Sequence, residues 1–236
     1  MDLSVVIPVY NAEKTLPLLY TELTQTLAAL GCTYEIILVD DGSSDGSFAF
    51  LEEIGRQDNR VRIIKMDRNY GQQKALLRGL QLAWGRILLT MDDDLQHPPQ
   101  EIIKLLAKLQ EGYDLVFGIP LEKKHSNFRN KGTRCIDLFF NLTSLKAPEV
   151  KISSFRAARR EVLPERPEYK PDFVYISALL LQNAQKPVSV TVAHRERKFG
   201  RSNYSLFKLG VLLTRIYLTY GLLPMLFSSP KQQREV

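Results

Sequence analysis

The 236-residue chain is poor in features that would mark several common classes. It has only two cysteines, Cys32 and Cys135, far apart and without metal-ligand spacing. That argues against a cysteine-built zinc site and fits a reducing compartment. The start, MDLSVVIPVYN, lacks the basic stretch of a secretory leader and meets Pro8 early, so export by that route is not expected. No G-x-G-x-x-G follows the first apolar run, and no G-x-x-x-x-G-K-[ST] occurs anywhere. A dinucleotide Rossmann site and a P-loop are therefore disfavoured. There is no internal repeat and no low-complexity tract. In the apolar C-terminal segment the uncharged part, Ile216 to Phe227, is 12 residues long, whereas a spanning helix needs about 20.

The length suits one large α/β domain with a substantial core. A formal net charge of +6 fits an anionic partner such as a phosphate ligand or an acidic membrane face; nothing indicates nucleic acid. Apolar runs at Leu3–Val9, Tyr34–Val39, Val61–Met66, Arg86–Met91 and Tyr113–Gly118 read as strands. They alternate with helical patterns at Ala12–Leu30, Asp45–Gln57, Gly71–Trp84 and Pro98–Glu111. Such alternation predicts βαβ units and a mostly parallel sheet flanked by helices. After Gly118 the regularity fades. Ile119–Lys131 reads as a basic loop, Phe128–Leu142 as a helix and Val188–Ala193 as a strand followed by the basic loop HRERKFGRSNY.

In open α/β sheets ligands bind at the carboxyl ends of the strands. There the chain places PVYNAE, DDGSSDG, NYGQQK and DDDLQ. Any one of these is ordinary turn chemistry; four on one sheet edge outline a carboxylate-rich nucleotide site. Carboxylates repel a diphosphate unless a divalent cation intervenes. Three consecutive aspartates, Asp92, Asp93 and Asp94, thus suggest a site for Mg²⁺ or Mn²⁺ carrying a nucleoside diphosphate. If the segment is extended, Asp92, Asp94 and Gln96 share one face and Asp93 takes the other. Oxygen donors in that row suit a partly hydrated octahedral ion.

The segments SVVIPVYNAEKTL, EIILVDDGSSDGS, NYGQQKALLRGL and LLTMDDDLQHPPQEI, in that order and spacing, resemble glycosyltransferase family 2, the inverting GT-A enzymes. FRNKGTR, SSFRAARREVL and RKFGRSNYSLFKL look like the polyprenyl-phosphate branch, the dolichyl-phosphate mannose synthase type and its bacterial relatives. The resemblance implies a GT-A catalytic domain over 1–204, with a nucleotide-sugar half at 1–118 and an acceptor half at 119–204. Residues 205–236 would form a juxtamembrane amphipathic helix and tail. It implies that Pro8, Tyr10, Glu13 and Asp40 hold the base, that Asp92 approaches the ribose or diphosphate, and that Asp94 and Gln96 bind the metal. Asp41, Lys74 and Asp93 complete the candidate nucleotide-binding set. Arg129, Arg134, Arg156, Arg197 and Ser202 are the candidates for acceptor phosphate, with Arg129 counted beside Asp92 and Asp94 as catalytic.

Relatives usually have a small residue where Asp93 stands, and several have an acid where Ser154 stands. The E-D and Q-x-x-R-W motifs of processive polysaccharide synthases are absent. A phosphate acceptor is already ionised at neutral pH and needs positioning and charge neutralisation rather than a base. The expected activity is metal-dependent transfer, with inversion, from a nucleotide sugar (UDP- ahead of GDP-) to a polyprenyl phosphate, undecaprenyl or dolichyl. The expected place is the cytoplasmic membrane face, with the C-terminal segment lying on the anionic surface; a homo-oligomer is left open. The alternatives are a family 2 transferase acting on a glycan or protein hydroxyl, and a non-catalytic nucleotide-sugar-binding module.

Overall fold

A computed structural model describes residues 1–121, 149–164, 173–196 and 206–222. The expected helix at Phe128–Leu142, and Arg129, Arg134, Arg197 and Ser202, lie outside the described residues.

Strand β1 (Leu3–Val9) and strand β2 (Tyr34–Asp40) are buried at every position. Their uninterrupted apolar character follows from lying centrally in a sheet covered on both faces. Helices α1 (Leu16–Ala28), α2 (Ser47–Gln57) and α3 (Gln72–Leu82) alternate with them and with β3 (Val61–Lys65) and β4 (Ile87–Thr90). A 3₁₀ turn at Pro99–Glu101 leads into α4 (Ile102–Gln110), and β5 (Leu115–Pro120) follows. β6 (Arg156–Arg159), a 3₁₀ turn at Arg160–Val162, α5 (Ile176–Leu181), β7 (Pro187–Val192) and α6 (Leu206–Ile216), continued by a π-helical stretch at Tyr217–Leu222, complete the described elements. The seven strands run in the order β3-β2-β1-β4-β6-β5-β7.

The sheet is parallel except for β6, which is antiparallel to both β4 and β5. This strand was not foreseen. RAAR is four residues long, with an arginine at each end and two alanines between, and offers no apolar alternation. Tertiary context makes it a strand. Ala157 and Ala158 are buried between neighbours, and Arg159 donates to the Leu109 and Tyr113 carbonyls. β6 is what carries the second half of the chain back beside β4. The short helix α5 was not foreseen either.

Two apolar layers enclose the sheet. One contains α1, α2 and α4 residues such as Leu19, Leu51 and Leu105. The other contains Leu76 and Leu80 of α3, Leu180 of α5, and Ile216 and Tyr220. α3 presses so closely on the sheet that a Cβ on Gly79 would lie 2.4 Å from Val6 Cγ1.

The C-terminal helix is therefore more than a surface strip. Ile216 is fully enclosed, and the Tyr220 hydroxyl accepts the Tyr175 N–H at 3.1 Å. Val211, Arg215, Tyr217 and Leu218 face outward from the same segment. The segment read from sequence as a juxtamembrane amphipathic helix packs one face into the second core layer while another face stays exposed. No helix among the described residues is long and apolar enough to cross a membrane. Ile216→Ala should lower unfolding free energy by about 2–4 kcal/mol, read by urea denaturation. An unchanged midpoint would show that this helix contributes nothing to the core.

Candidate active site

β1 pairs with β4 as far as Val6↔Thr90, while β1 itself runs on to Val9 opposite Asp40. β4 thus ends three residues short of β1, and the acidic segment after it turns beside the end of β1. Asp93 and Asp94 occupy a turn, and Leu95 takes a left-handed φ of 61° with its side chain buried. The extended conformation expected for Asp92–Gln96 is not formed beyond Asp92, because Leu95 is drawn into the core. The alternation of faces argued from extension therefore does not apply here.

Each aspartate has its own donor. Asp92 accepts the Gln72 side-chain amide at 2.5 Å and the Ser154 hydroxyl at 2.6 Å. Gln72 opens α3, and Ser154 precedes β6, so Asp92 joins the two halves of the chain. Asp93 accepts the Tyr10 backbone N–H at 3.2 Å, which ties the acid turn to the loop after β1. Asp94 accepts the Gln96 N–H at 3.0 Å, a local side-chain turn. The Gln96 carbonyl in turn accepts Arg195 N–H at 2.8 Å. Arg195 is held by Glu22 at 2.8 Å, so the segment after β7 is anchored against the acid turn.

The loop after β1 is stapled to the loop after β2. Asn11, at φ 52°, accepts Ser44 N–H through its side chain, and Ala12 N–H donates to the Ser47 hydroxyl. Glu13 accepts Gly46 N–H at 3.1 Å, so its carboxylate serves the start of α2. Tyr10 is exposed, whereas Pro8 and Asp40 are buried. The Asp40 carboxylate faces Ser43 N–H at 3.3–3.4 Å. Asp41 is buried and accepts Tyr70 and Gly71 N–H at 2.7 and 2.8 Å. Burial, with the Asp40 charge beside it, raises its carboxyl pKa despite those two bonds. It shapes the turn into α3, where Gly71 has φ 93°.

The four strand-end clusters do converge on one edge, with two exceptions among the named residues. Lys74 lies about half a turn of helix from Gln72, and lines a cavity of about 660 Å³ between β3 and α3 with Tyr70 and Arg78. Its ammonium is 5.8 Å from the Tyr70 ring centre, not at the acid turn. Arg156, expected to contact acceptor phosphate, is 2% exposed. Its guanidinium donates to Thr90 Oγ1 at 2.9 Å and Ser177 Oγ at 2.5 Å, because β6 turns this side chain into the second core layer. Burial lowers its pKa to about 10.

Gln72 and Ser154, which grip Asp92, carried no sequence signal for that role; partners from three segments are visible only after folding. His97 was also missed. It is buried, stacks on Phe155 with ring centres 5.1 Å apart, and meets His194 edge-on at 5.3 Å. Burial and the His194 charge lower its pKa to about 4.

The donor set fits a hard cation only in part by itself. Among the described residues no three His, Cys, Asp or Glu side chains are arranged to hold a metal ion. The Asp94 carboxylate and the Gln96 amide oxygen are hard donors that leave most of an octahedral shell to ligand oxygens and water.

Comparison with known proteins bears on this arrangement. The family described as Glycosyl transferase family 2 matches residues 4–166. The chain is 36% identical over 234 residues to the undecaprenyl-phosphate 4-deoxy-4-formamido-L-arabinose transferase of Enterobacter sp. (strain 638), covering 99% of this chain and 70% of that protein. It is 38% identical over 228 residues to the protein of the same name from Proteus mirabilis (strain HI4320), covering 96% and 68%. Among solved structures it resembles glucosyl-3-phosphoglycerate synthase from Mycobacterium tuberculosis, crystallised with Mn²⁺, UDP and phosphoglyceric acid. That TM-score is 0.65 at 23% identity, over 91% of this chain and 75% of that one.

Asp93 generates a pH prediction. Burial and then the Asp92 and Asp94 charges, against the Tyr10 hydrogen bond, raise its pKa from 3.8 to about 7. A raised acid favours folding while protonated, so its contribution is present near pH 4 and is lost as pH rises through about 7. In metal-free buffer, Asp93→Asn should flatten the decline in urea midpoint between pH 4 and 8 while keeping an acceptor for Tyr10 N–H. An identical slope in the variant would show that Asp93 ionises normally.

Proposed function

The chain belongs to glycosyl transferase family 2 and is a glycosyltransferase of GT-A fold, and from that premise we propose that it moves a sugar from a nucleotide sugar to a polyprenyl phosphate. The observation that carries this reading is the surroundings of Asp92. Among the described residues its partner on the β6 side is the hydroxyl of Ser154, which is no base for a sugar hydroxyl. A phosphate acceptor does not ask for one, since its second ionisation lies near pH 6. The two bacterial relatives are named as undecaprenyl-phosphate transferases, so undecaprenyl phosphate is the first acceptor to try. A nucleotide-activated 4-deoxy-4-formamido-L-arabinose is the first donor.

Tyr10, with Pro8 and Asp40 beneath it, would receive the base at the ends of β1 and β2. Asp92, oriented by Gln72 and Ser154, would accept from the ribose. Asp94 and Gln96 would hold a divalent ion, Mg²⁺ or Mn²⁺, which when bound offsets the diphosphate charge. Arg129, Arg134, Arg197 and Ser202 are proposed to gather the acceptor phosphate, as arginine forks bind two oxygens. One acceptor oxygen forms the bond to the anomeric carbon as the bond to the diphosphate breaks. The nucleoside diphosphate leaves with the electron pair, and configuration inverts. The exposed side of the C-terminal segment, Val211, Arg215, Tyr217 and Leu218, suits contact with an anionic membrane surface at its headgroup level.

Asp94→Ala should abolish turnover and remove the metal-dependent part of nucleotide binding, measured by calorimetry with and without Mn²⁺. Retained Mn²⁺-dependent binding would place the ion elsewhere.

The acceptor assignment is tested by moving radiolabelled sugar into organic-extractable lipid with undecaprenyl phosphate supplied. Arg129→Ala should lower that transfer by about two orders of magnitude or more with nucleotide affinity little changed. Label appearing on a soluble glycan or peptide instead would overturn the lipid acceptor.

A further inference from the structure

We infer that the buried Arg156 is the internal counter-cation of Asp92, at the head of the acid turn, and that it limits how tightly that turn takes up a divalent cation; the inference rests on the metal reading above. A buried charge is tolerated where opposite charge or hydrogen bonds offset its lost hydration. The hydrogen bonds that Arg156 makes to Thr90 and Ser177 end on neutral hydroxyls. Of the acidic groups near it, the Asp92 carboxylate is the one whose charge at neutral pH favours its ionised form. A covalent and hydrogen-bonded path leads to the same place. Thr90, which accepts from Arg156, stands two residues before Asp92 and donates to the Ser154 carbonyl at 2.7 Å. Ser154 then donates its own hydroxyl to Asp92 at 2.6 Å. The guanidinium thus sits behind the acid turn, enclosed by β4, β6 and α5, where solvent does not screen its field.

Two consequences follow for the turn. Asp92 can keep its charge beside the other two acids before any ligand arrives, because a fixed positive charge stands behind it. The same charge opposes an incoming divalent ion, so the empty turn binds metal weakly and the diphosphate is needed to complete the site. Arg156 is therefore a positioning residue. A purely structural role, in which it only glues β6 and α5 to β4, makes the opposite prediction. Removing it would loosen the turn and weaken metal binding.

The test is Mn²⁺ alone, without nucleotide, titrated into the full chain and followed by the electron paramagnetic resonance signal of the free ion. Arg156→Gln removes the charge and keeps a hydrogen-bonding side chain. Ser177→Asp leaves the arginine in place and neutralises it locally, so the result does not depend on one variant folding. Both should tighten Mn²⁺ binding at least about threefold, while Arg156→Lys stays within about twofold of the parent. Unchanged or weaker Mn²⁺ binding in either neutralised variant, with a native thermal transition, overturns the counter-cation role and leaves the metal site standing. A parent protein that takes up no Mn²⁺ with or without nucleotide removes the metal reading and this inference with it.

Discussion

Three carboxylates within one turn, at the end of a buried strand, repel one another, and much of the surrounding architecture is arranged to hold them there. Each has a separate source of hydrogen. Asp92 draws on the start of α3 and the approach to β6, Asp93 on the backbone after β1, and Asp94 on its own turn. Bonds between donors and ionised oxygens are the stronger kind. Because the donors come from elements far apart in sequence, the acid turn acts as the node at which the first and second halves of the sheet are joined.

The antiparallel β6 is the topological device behind that node. A parallel connection would have delivered the chain at the opposite edge of the sheet. Running antiparallel, β6 begins beside the end of β4, so Ser153 and Ser154 arrive at the carboxyl edge and Arg156 enters the layer beneath it. The segment after β7 then returns to the same edge, where Arg195 is fastened to Gln96 and Glu22. The acid turn is thereby set among rigid strand ends, and the described part of the second half of the chain is laid against it.

Placing the C-terminal helix in the second core layer ties its exposed face to the sheet. Ile216 and Tyr220 pack with residues of α3 and α5, and α3 supplies Gln72 to Asp92. The exposed face carrying Tyr217 and Leu218, proposed above to meet lipid headgroups, is thus joined to the element that supplies Gln72 through one packed layer.

Periodicity in the sequence alone determined the parallel core, its helices and the edge on which polar clusters gather, since uninterrupted apolar runs and 3.6-residue spacing leave few other arrangements. The quoted motifs likewise determined the family. Tertiary structure decided what spacing cannot express. It made RAAR a strand and buried Arg156, it turned Lys74 toward β3, and it bent the acid segment at Leu95 instead of extending it. Such outcomes depend on partners distant in sequence: Thr90 and Ser177 for the arginine, and the core for Leu95, just as Asp92 depends on Gln72 and Ser154. Local pattern specifies which face a residue occupies, whereas the identity of the group it meets there is set by how the strands are ordered.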